Sequence, residues 1–315
     1  MLPPNAQASL LDPLVADGEM ARRIASFPWQ DTALGPASGW PESLRTVVRV
    51  LVTSRFAMWI GWGPELTFFY NDAYGSMTLG AKHPWALGRP AREVWAEIWG
   101  DLAPRIAQVL AEGKATWDER LLLFLERSGY REETYHTFSY SPISDESGKP
   151  AGMLCVVSEE TERVVGERRL AVLHDLATQL AGIDRPHEVA RAVARCLGRH
   201  ARDLPFTLTY LVDAEGVPSL SAVTGLAEQH PAARALNDAS SARAAAALWP
   251  LAQALESGAP VLVELPSELP WPSGPWLRRC SSSNLGIHNQ LSGPCWKPFG
   301  SNRRLAANPS SPAAT

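Results

Sequence analysis

Apolar and polar positions alternate with two different periods in the first half of the chain. After Pro41, apolar residues recur with helical spacing from Leu44 to Leu51, which predicts an amphipathic helix with one buried stripe. Residues 56–60 and 66–70 are instead rich in β-forming side chains and flank a Gly-Trp-Gly-Pro turn, so they predict a hairpin. A pair of strands therefore follows the first predicted helix.

Asn71 follows this hairpin, and a short polar side chain at such a place is suited to ending a strand and starting a helix. The pattern then predicts, in order, short helical pieces over 74–79 and 88–99, a longer helix over 102–112, a strand over 116–125, and a closing hairpin between Tyr135 and Val157. Two strands, several helices and three further strands predict an α+β domain.

The closing hairpin resembles the last hairpin of a PAS domain. The residues that carry the resemblance are Ser141–Asp145, Gly148, Gly152 and the exit Glu160–Arg163, together with the Asn-x-Ala-aromatic word that begins at Asn71. The resemblance covers roughly residues 43–162. It implies a five-stranded antiparallel sheet with short helices, and a function in sensing rather than in catalysis.

The helix predicted over 162–181 leaves this domain with Leu170, Leu173, Ala177 and Leu180 at alternating spacings of three and four. Such a seam indicates either a dimer interface or a face that packs on a neighbouring domain, and the spacing alone does not choose between them.

Beyond a break at Gly182 the chain resembles the first half of a GAF domain. The predicted order is a helix from His187, a hairpin from Phe206 to Val223, a helix around residues 249–256, and a strand at Val261–Glu264. No acidic residue follows Glu268, and the remainder is basic and rich in Ser, Asn, Pro and Gly, which predicts a disordered tail.

The length suits two domains. The predicted division is an irregular lead-in (1–40), the PAS domain (41–162), a signalling or linker helix (163–182), a partial GAF-like domain (183–268) and the disordered tail (269–315).

Net charge limits the classes of partner that the chain can bind, and cysteine spacing limits the metal and redox sites that it can form. With 29 basic and 33 acidic residues, the formal charge of -4 offers no field for nucleic acid or an anionic membrane, so a small molecule or a protein is the expected partner. The four cysteines form no Cys-x-x-Cys pair. No leader is evident, and arginines interrupt the apolar stretch at 44–62, so we expect no membrane span and a cytoplasmic location.

The order of PAS domain, linker helix and GAF-like half resembles the amino-terminal sensory region of bacterial sensor histidine kinases. A homodimer through the PAS domain and linker helix, and a histidine kinase or response regulator as partner, are what this resemblance implies. The chain carries no glycine-rich nucleotide site, and His174 lacks the basic residue and proline that follow a phosphoaccepting histidine, so no catalytic residue is predicted. A truncated or frameshifted kinase stays an alternative.

Tryptophan is abundant in the PAS-like region, and aromatic rings with polar edges are typical of small-ligand pockets. The candidate pocket residues are Trp59, Asn71, Tyr74, His83, Trp95 and His136. A plain aromatic core without a ligand, in a domain that serves as a protein-interaction scaffold, is the alternative.

The sequence gives little evidence for any particular cofactor. His83 is the one histidine in the helical segment that could be an axial ligand of haem, but we do not expect the domain to bind haem. Residues 72–112 contain no cysteine, which excludes a flavin photoadduct. His83, His136, His187 and His200 show no His-x-x-x-His spacing, so no metal site is predicted.

Overall fold

The structure, a computed structural model, describes residues 18–227, 229–234, 249–266 and 269–272. Its helices are α1 (Glu19–Ser26), α2 (Glu42–Thr53), α3 (Asp72–Tyr74), α4 (Ala91–Val94), α5 (Trp99–Glu112), α6 (Thr161–Leu180), α7 (Pro186–Gly198), α8 (Pro231–Arg234) and α9 (Leu251–Ser257). Its strands are β1 (Ala57–Trp62), β2 (Thr67–Tyr70), β3 (Thr116–Leu125), β4 (Glu132–Ser144), β5 (Pro150–Glu159), β6 (Thr207–Val212) and β7 (Pro218–Thr224).

The first five strands form one antiparallel sheet in the order β2-β1-β5-β4-β3. The expected α+β fold with a five-stranded sheet is therefore confirmed. Strands β1 and β2 are buried along their whole length, because helices and turns cover both of their faces. Trp59 occupies the middle of this arrangement, where it pairs with Tyr70 on β2 and with Cys155 on β5.

The two faces of β2 separate two parts of the core. Phe68 stacks on Trp59, with ring centroids 4.7 Å apart. Its neighbour Phe69 points the opposite way, as successive strand residues do, and stacks on Trp29 at 4.6 Å. One face of the sheet is thus covered by the segments after β2, and the other by residues that precede α2.

The prediction of an irregular lead-in over 1–40 is wrong for the residues that the structure describes. Helix α1 buries Met20 and Ile24, and Trp29 and Trp40 belong to the same core. The backbone N–H of Met20 donates to Asp72 Oδ1 at 2.8 Å, which fixes the start of α1 to α3. The sequence pattern missed this helix because two turns are too short to display a sustained period.

Helix α6 coincides with the predicted linker helix. Val172 is buried, whereas Leu170 and Leu173 are 64% and 51% exposed. Ala177 is exposed as well. Three of the four members of the predicted seam therefore face solvent in the single chain, and the dimer stays a prediction.

The region after α6 is smaller and less buried. Strands β6 and β7 form a two-stranded sheet that packs on α7, and α9 matches the predicted helix around 249–256. The predicted strand Val261–Glu264 is wrong, because these residues have no regular structure and no strand partner among the described residues. Most of the predicted tail, residues 273–315, lies outside the described residues.

No helix in the described part of the chain combines the length and the hydropathy that crossing a membrane requires.

Candidate functional site: a buried aromatic cavity

A small cavity lies between the five-stranded sheet and the segments from α3 to α5. Its volume is about 30 Å³, enough for about two water-sized molecules. It is lined by Trp59, Tyr74, Thr78, Trp95, Ile98, Leu102, Leu123, Leu125, His136, Phe138, Tyr140, Cys155 and Val157. Because protein pockets for drug-sized ligands have volumes of about 300–1,000 Å³, this cavity in its present form suits only a very small molecule.

Five of the residues in the cavity wall are aromatic: Trp59, Tyr74, Trp95, Phe138 and Tyr140. Tyr74 meets Trp95 edge to face, with centroids 6.3 Å apart. Trp95 is held from behind by Lys82, whose ammonium group lies 4.3 Å from the ring centroid and donates to Glu97 Oε1 at 2.6 Å. The wall is therefore fixed by a cation–π contact and an ion pair as well as by apolar packing.

His136 contributes an unpaired polar atom to this wall. The residue is 2% exposed, and its Nε2 has no hydrogen-bond partner. Burial lowers the pKa of the imidazole to about 4, so the ring is neutral near pH 7. Because an unsatisfied buried polar atom is costly, this nitrogen is the natural contact for a ligand or water in the cavity.

The other ionisable groups of the wall are also neutral. Burial raises the pKa of the hydroxyls of Tyr74 and Tyr140 well above its ordinary range, and it does the same for the Cys155 thiol. A neutral guest with hydrogen-bonding capacity suits such a wall better than a charged one.

Four of the six predicted pocket residues, Trp59, Tyr74, Trp95 and His136, line the cavity; the other two do not. The Asn71 side chain caps α3 by accepting from the Tyr74 N–H at 3.0 Å and donates to the carbonyls of Ser54 and Phe56. Its hydrogen bonds are thus used by the backbone, which confirms its predicted role at the strand end and corrects its assignment as a ligand contact.

His83 lies outside the cavity. Its Nδ1 is 3.0 Å from the Tyr70 hydroxyl, and its Nε2 is 3.1 Å from Glu19 Oε1 on α1. The imidazole therefore joins α1 to β2, and its assignment as a pocket contact is corrected.

The sequence reasoning missed Phe138 and Tyr140, although a signal was present. With His136 they form a period-two series on β4, and such residues share one face of a strand. What the alternation alone could not reveal was which face would be covered.

Arg127 connects the cavity wall to the start of the linker helix. Its guanidinium donates to the Met77 carbonyl at 2.7 Å, and Met77 precedes the cavity residue Thr78. The same group makes a bidentate contact with Glu159 at 2.7 and 2.9 Å. Glu159 in turn accepts from Thr161 Oγ1 at 2.9 Å, at the first residue of α6. A continuous polar chain therefore joins the cavity wall to α6.

The charged side chains of this hydrogen-bonded network, Arg127 and Glu159, stabilise each other. Burial alone would raise the pKa of Glu159, but the hydrogen bonds and charge of Arg127 lower the pKa below its ordinary value. A backbone hydrogen bond also fixes the main chain of Arg127, because the Arg127 carbonyl accepts from the Ala81 N–H at 2.9 Å. Gly80 has a φ of +53°, and a Cβ there would lie 2.7 Å from the Arg127 carbonyl oxygen, so the close approach requires glycine.

Outside the cavity, one set of side chains in the described part of the chain brings three potential metal-ligating atoms together. His200, which shows no ligand spacing to another histidine, lies beside Asp175 and Cys196. The prediction of no metal site was based on histidine spacings alone and did not consider this mixed set of side chains from α6, α7 and the turn after α7.

Comparison with known proteins agrees with this architecture. Residues 57–165 match the family model described as PAS fold, so this part of the chain forms a PAS domain. No curated protein matches the chain.

Several solved structures are similar to the chain. A LOV protein from Rhodobacter sphaeroides is 17% identical, with a TM-score of 0.33, over 51% of this chain and 93% of that chain. A sensory box sensor histidine kinase from Vibrio cholerae is 17% identical, with a TM-score of 0.27, over 38% and 92%. The PAS domain from Bordetella pertussis BvgS is 22% identical, with a TM-score of 0.27, over 41% and 94%.

Proposed function

We propose that the PAS domain is a sensory input domain that binds a very small, neutral, hydrogen-bonding molecule and transmits its presence to α6. The observation that carries this proposal is the unpaired Nε2 of His136 in an aromatic cavity. A guest that forms a hydrogen bond with this nitrogen would supply its missing partner, so occupancy is favoured by the polar contact as well as by apolar burial.

The signal would be transmitted through the hydrogen bonds that link Met77, Arg127 and Glu159 to the start of α6. A guest that displaces the wall near Thr78 changes the distance between the Met77 carbonyl and Arg127, and Arg127 holds Glu159 directly before α6. A signal of this kind requires that the guest bind two arrangements of α6 with different affinity. In the full signalling pathway, α6 would then convey this change to a dimer partner, a GAF-like second half, and a histidine kinase or response regulator.

Native mass spectrometry of the full chain tests ligand binding. We expect the folded chain to carry a small molecule that is released on denaturation, and His136→Phe to lose it, because phenylalanine keeps the apolar wall and removes the polar atom. His187→Phe, at an exposed histidine on α7, is the matched control. An equal yield of the molecule from both variants would overturn the role of His136.

Hydrogen exchange of the amides at the start of α6 tests transmission. We expect Arg127→Gln to accelerate exchange over residues 161–170, because Glu159 loses its bidentate partner. Arg131→Gln is the control in the same β3–β4 connection, where the guanidinium lies over the Phe124 ring, 4.9 Å from its centroid. Identical exchange over α6 in the two variants would remove Arg127 from the pathway.

A ligand-free interaction scaffold is the second candidate. The small cavity volume and the exposed leucines of α6 favour it. In that case the full chain releases no molecule on denaturation but remains dimeric by light scattering. A dimer that does release a molecule favours the sensor.

A further inference from the structure

The hairpin of helices α6 and α7 brings together three side chains with different metal-ligating atoms. Asp175 lies on α6, Cys196 on α7, and His200 two residues after the end of α7. One ligand atom from each lies within 4.8 Å of the other two. Within the described ranges, no other three His, Cys, Asp or Glu side chains converge in this way.

The fold positions these side chains without relying on a metal. Cys196 and His200 are four residues apart, which places them on neighbouring turns of the chain. The His200 backbone N–H donates to the Leu197 carbonyl at 2.9 Å, and the His200 carbonyl accepts from Leu204 N–H at 3.0 Å. Packing between α6 and α7 then brings Asp175 opposite the pair.

The distance between two of these ligand atoms matches the distance between two ligands of a zinc ion. His200 Nε2 lies 3.3 Å from Asp175 Oδ2. Two ligands with metal–ligand bonds of about 2.0 Å are separated by about 3.3 Å at a tetrahedral zinc. The nitrogen and oxygen, which are hydrogen-bonded to each other here, are therefore also spaced as two zinc ligands would be. The ligand atoms of all three side chains lie within 4.8 Å of one another.

Burial and charge are compatible with an ion at this place. Cys196 is fully buried, which keeps its thiol from solvent, whereas the Asp175 side chain is 44% exposed and leaves a route from the surface. The charged neighbour is Arg199, whose Nη2 lies 3.8 Å from Asp175 Oδ2. Its side chain is 56% exposed, so it can turn toward solvent when a cation arrives.

We propose that Asp175, Cys196 and His200 form a Zn²⁺ site that cross-links α6 to α7. The thiolate and imidazole favour zinc over harder cations such as Mg²⁺ or Ca²⁺, and three protein ligands leave a fourth position for water. On binding, the Cys196 thiol releases its proton to solvent and the sulfur bonds to the metal. The ion fixes the angle between the helices across the Gly182 break, independently of the ligand cavity.

Cobalt substitution in the full chain tests the site. Co²⁺ added to the metal-free protein should produce a thiolate-to-cobalt charge-transfer band, and equimolar Zn²⁺ should abolish it. Cys196→Ser should remove the band. His200→Ala and Asp175→Asn should weaken Zn²⁺ binding, measured by competition, by at least about tenfold, because even loss of a residue that only supports a ligand costs about 10- to 100-fold.

The controls separate this site from other thiols and histidines. His174→Ala and His187→Ala replace exposed histidines on the same two helices and should leave the affinity unchanged. A band that persists in Cys196→Ser assigns the thiolate to another cysteine and overturns the proposal, as does the absence of any band in the unaltered chain. Because the buried Cys196 position is sensitive to substitution, the partly exposed Asp175→Asn gives a second test. Unchanged zinc affinity in both folded Asp175→Asn and His200→Ala also overturns it.

Discussion

The PAS domain and the region after α6 differ in how completely they bury their sheets. Every residue of β1 and β2 is buried, whereas β6 and β7 contain only half-buried and exposed positions. The PAS sheet has five strands, of which β1 and β2 are covered on both faces, while the second sheet has two strands and packs on α7. A two-stranded sheet is marginal on its own, so we infer that the second region depends on its contacts for stability.

One such contact joins the two regions directly. Arg168 on α6 donates to Glu133 on β4 at 2.8 Å and makes two contacts with Asp203, at 2.5 and 2.6 Å. Burial by itself would raise the pKa of Glu133, but the hydrogen bond and charge of Arg168 lower it below the ordinary value. The linker helix therefore both exits the PAS domain and holds the second region to it.

The largest expected difference is in the cost of removing a core side chain. Phe68→Ala should lower the free energy of unfolding by about 3–5 kcal/mol, because Phe68 is fully buried and the truncation leaves a cavity. Leu208→Ala, at a half-buried position on β6, should cost less than about 2 kcal/mol. Urea denaturation of the full chain, followed by circular dichroism, measures both. Equal costs would contradict the contrast between the regions.

The same contrast decides what could be predicted from the sequence. Helix α2 and the PAS strands have clear periods and turn residues, and they lie close to their predicted bounds. Residues Val261–Glu264 have an equally strand-like composition, but a strand forms only where a neighbour supplies hydrogen bonds, and none does so in the described part of the second region. A local pattern is sufficient when the surrounding core is complete.

At the candidate site, the sequence could predict some of the residues but not the contacts that their side chains make. Trp59 and Trp95 were predictable as pocket walls because they are large and aromatic. Asn71 was equally suggestive, yet its side chain bonds to the backbone. The Cys196-x-x-x-His200 spacing is visible in the sequence, but its third member, Asp175, is on another helix and is found only by tertiary packing.

The stability of the PAS core should depend on pH through His136. The folded-state pKa of His136 is about 4, below the ordinary 6.5, so the unfolded chain binds the proton first as pH falls. Stability from this group is unaffected above pH 6.5 and falls by up to about 3 kcal/mol as pH approaches 4.

We therefore expect His136→Gln to show a smaller loss of unfolding free energy than the unaltered chain between pH 6.5 and 4.5. The pKa values of Glu133 and Glu159 are lowered below the ordinary value of a glutamate because arginine hydrogen bonds and charge outweigh burial, and both glutamates are present in the variant and the unaltered chain alike. Urea denaturation at several pH values measures the slope, and His187→Gln, at an exposed position, should keep it. A slope in His136→Gln equal to that of the unaltered chain would mean that folding does not lower the pKa of His136.

Loss of the contact between the regions should have a smaller effect. Arg168→Met keeps the aliphatic stem but leaves Glu133 and Asp203 without their main partner, at a cost of about 2 kcal/mol. We expect hydrogen exchange to accelerate in β6 and β7 more than in β1 and β5. Arg169→Met, at the adjacent exposed position, is the control. Uniform acceleration across both sheets would show that the regions unfold as one unit.

The smallest effect on folding is expected on the outer face of α6. Leu173 is 51% exposed, so Leu173→Glu should change the unfolding free energy of the monomer by no more than about 0.5 kcal/mol. If the exposed leucines form a dimer seam, the same substitution places like charges opposite each other and should convert a dimer to a monomer by light scattering. Thr178→Glu, at another exposed position on α6, should leave the dimer intact. A Leu173→Glu chain that remains dimeric would place the dimer interface elsewhere, and α6 would then serve only to hold the second region to the PAS domain.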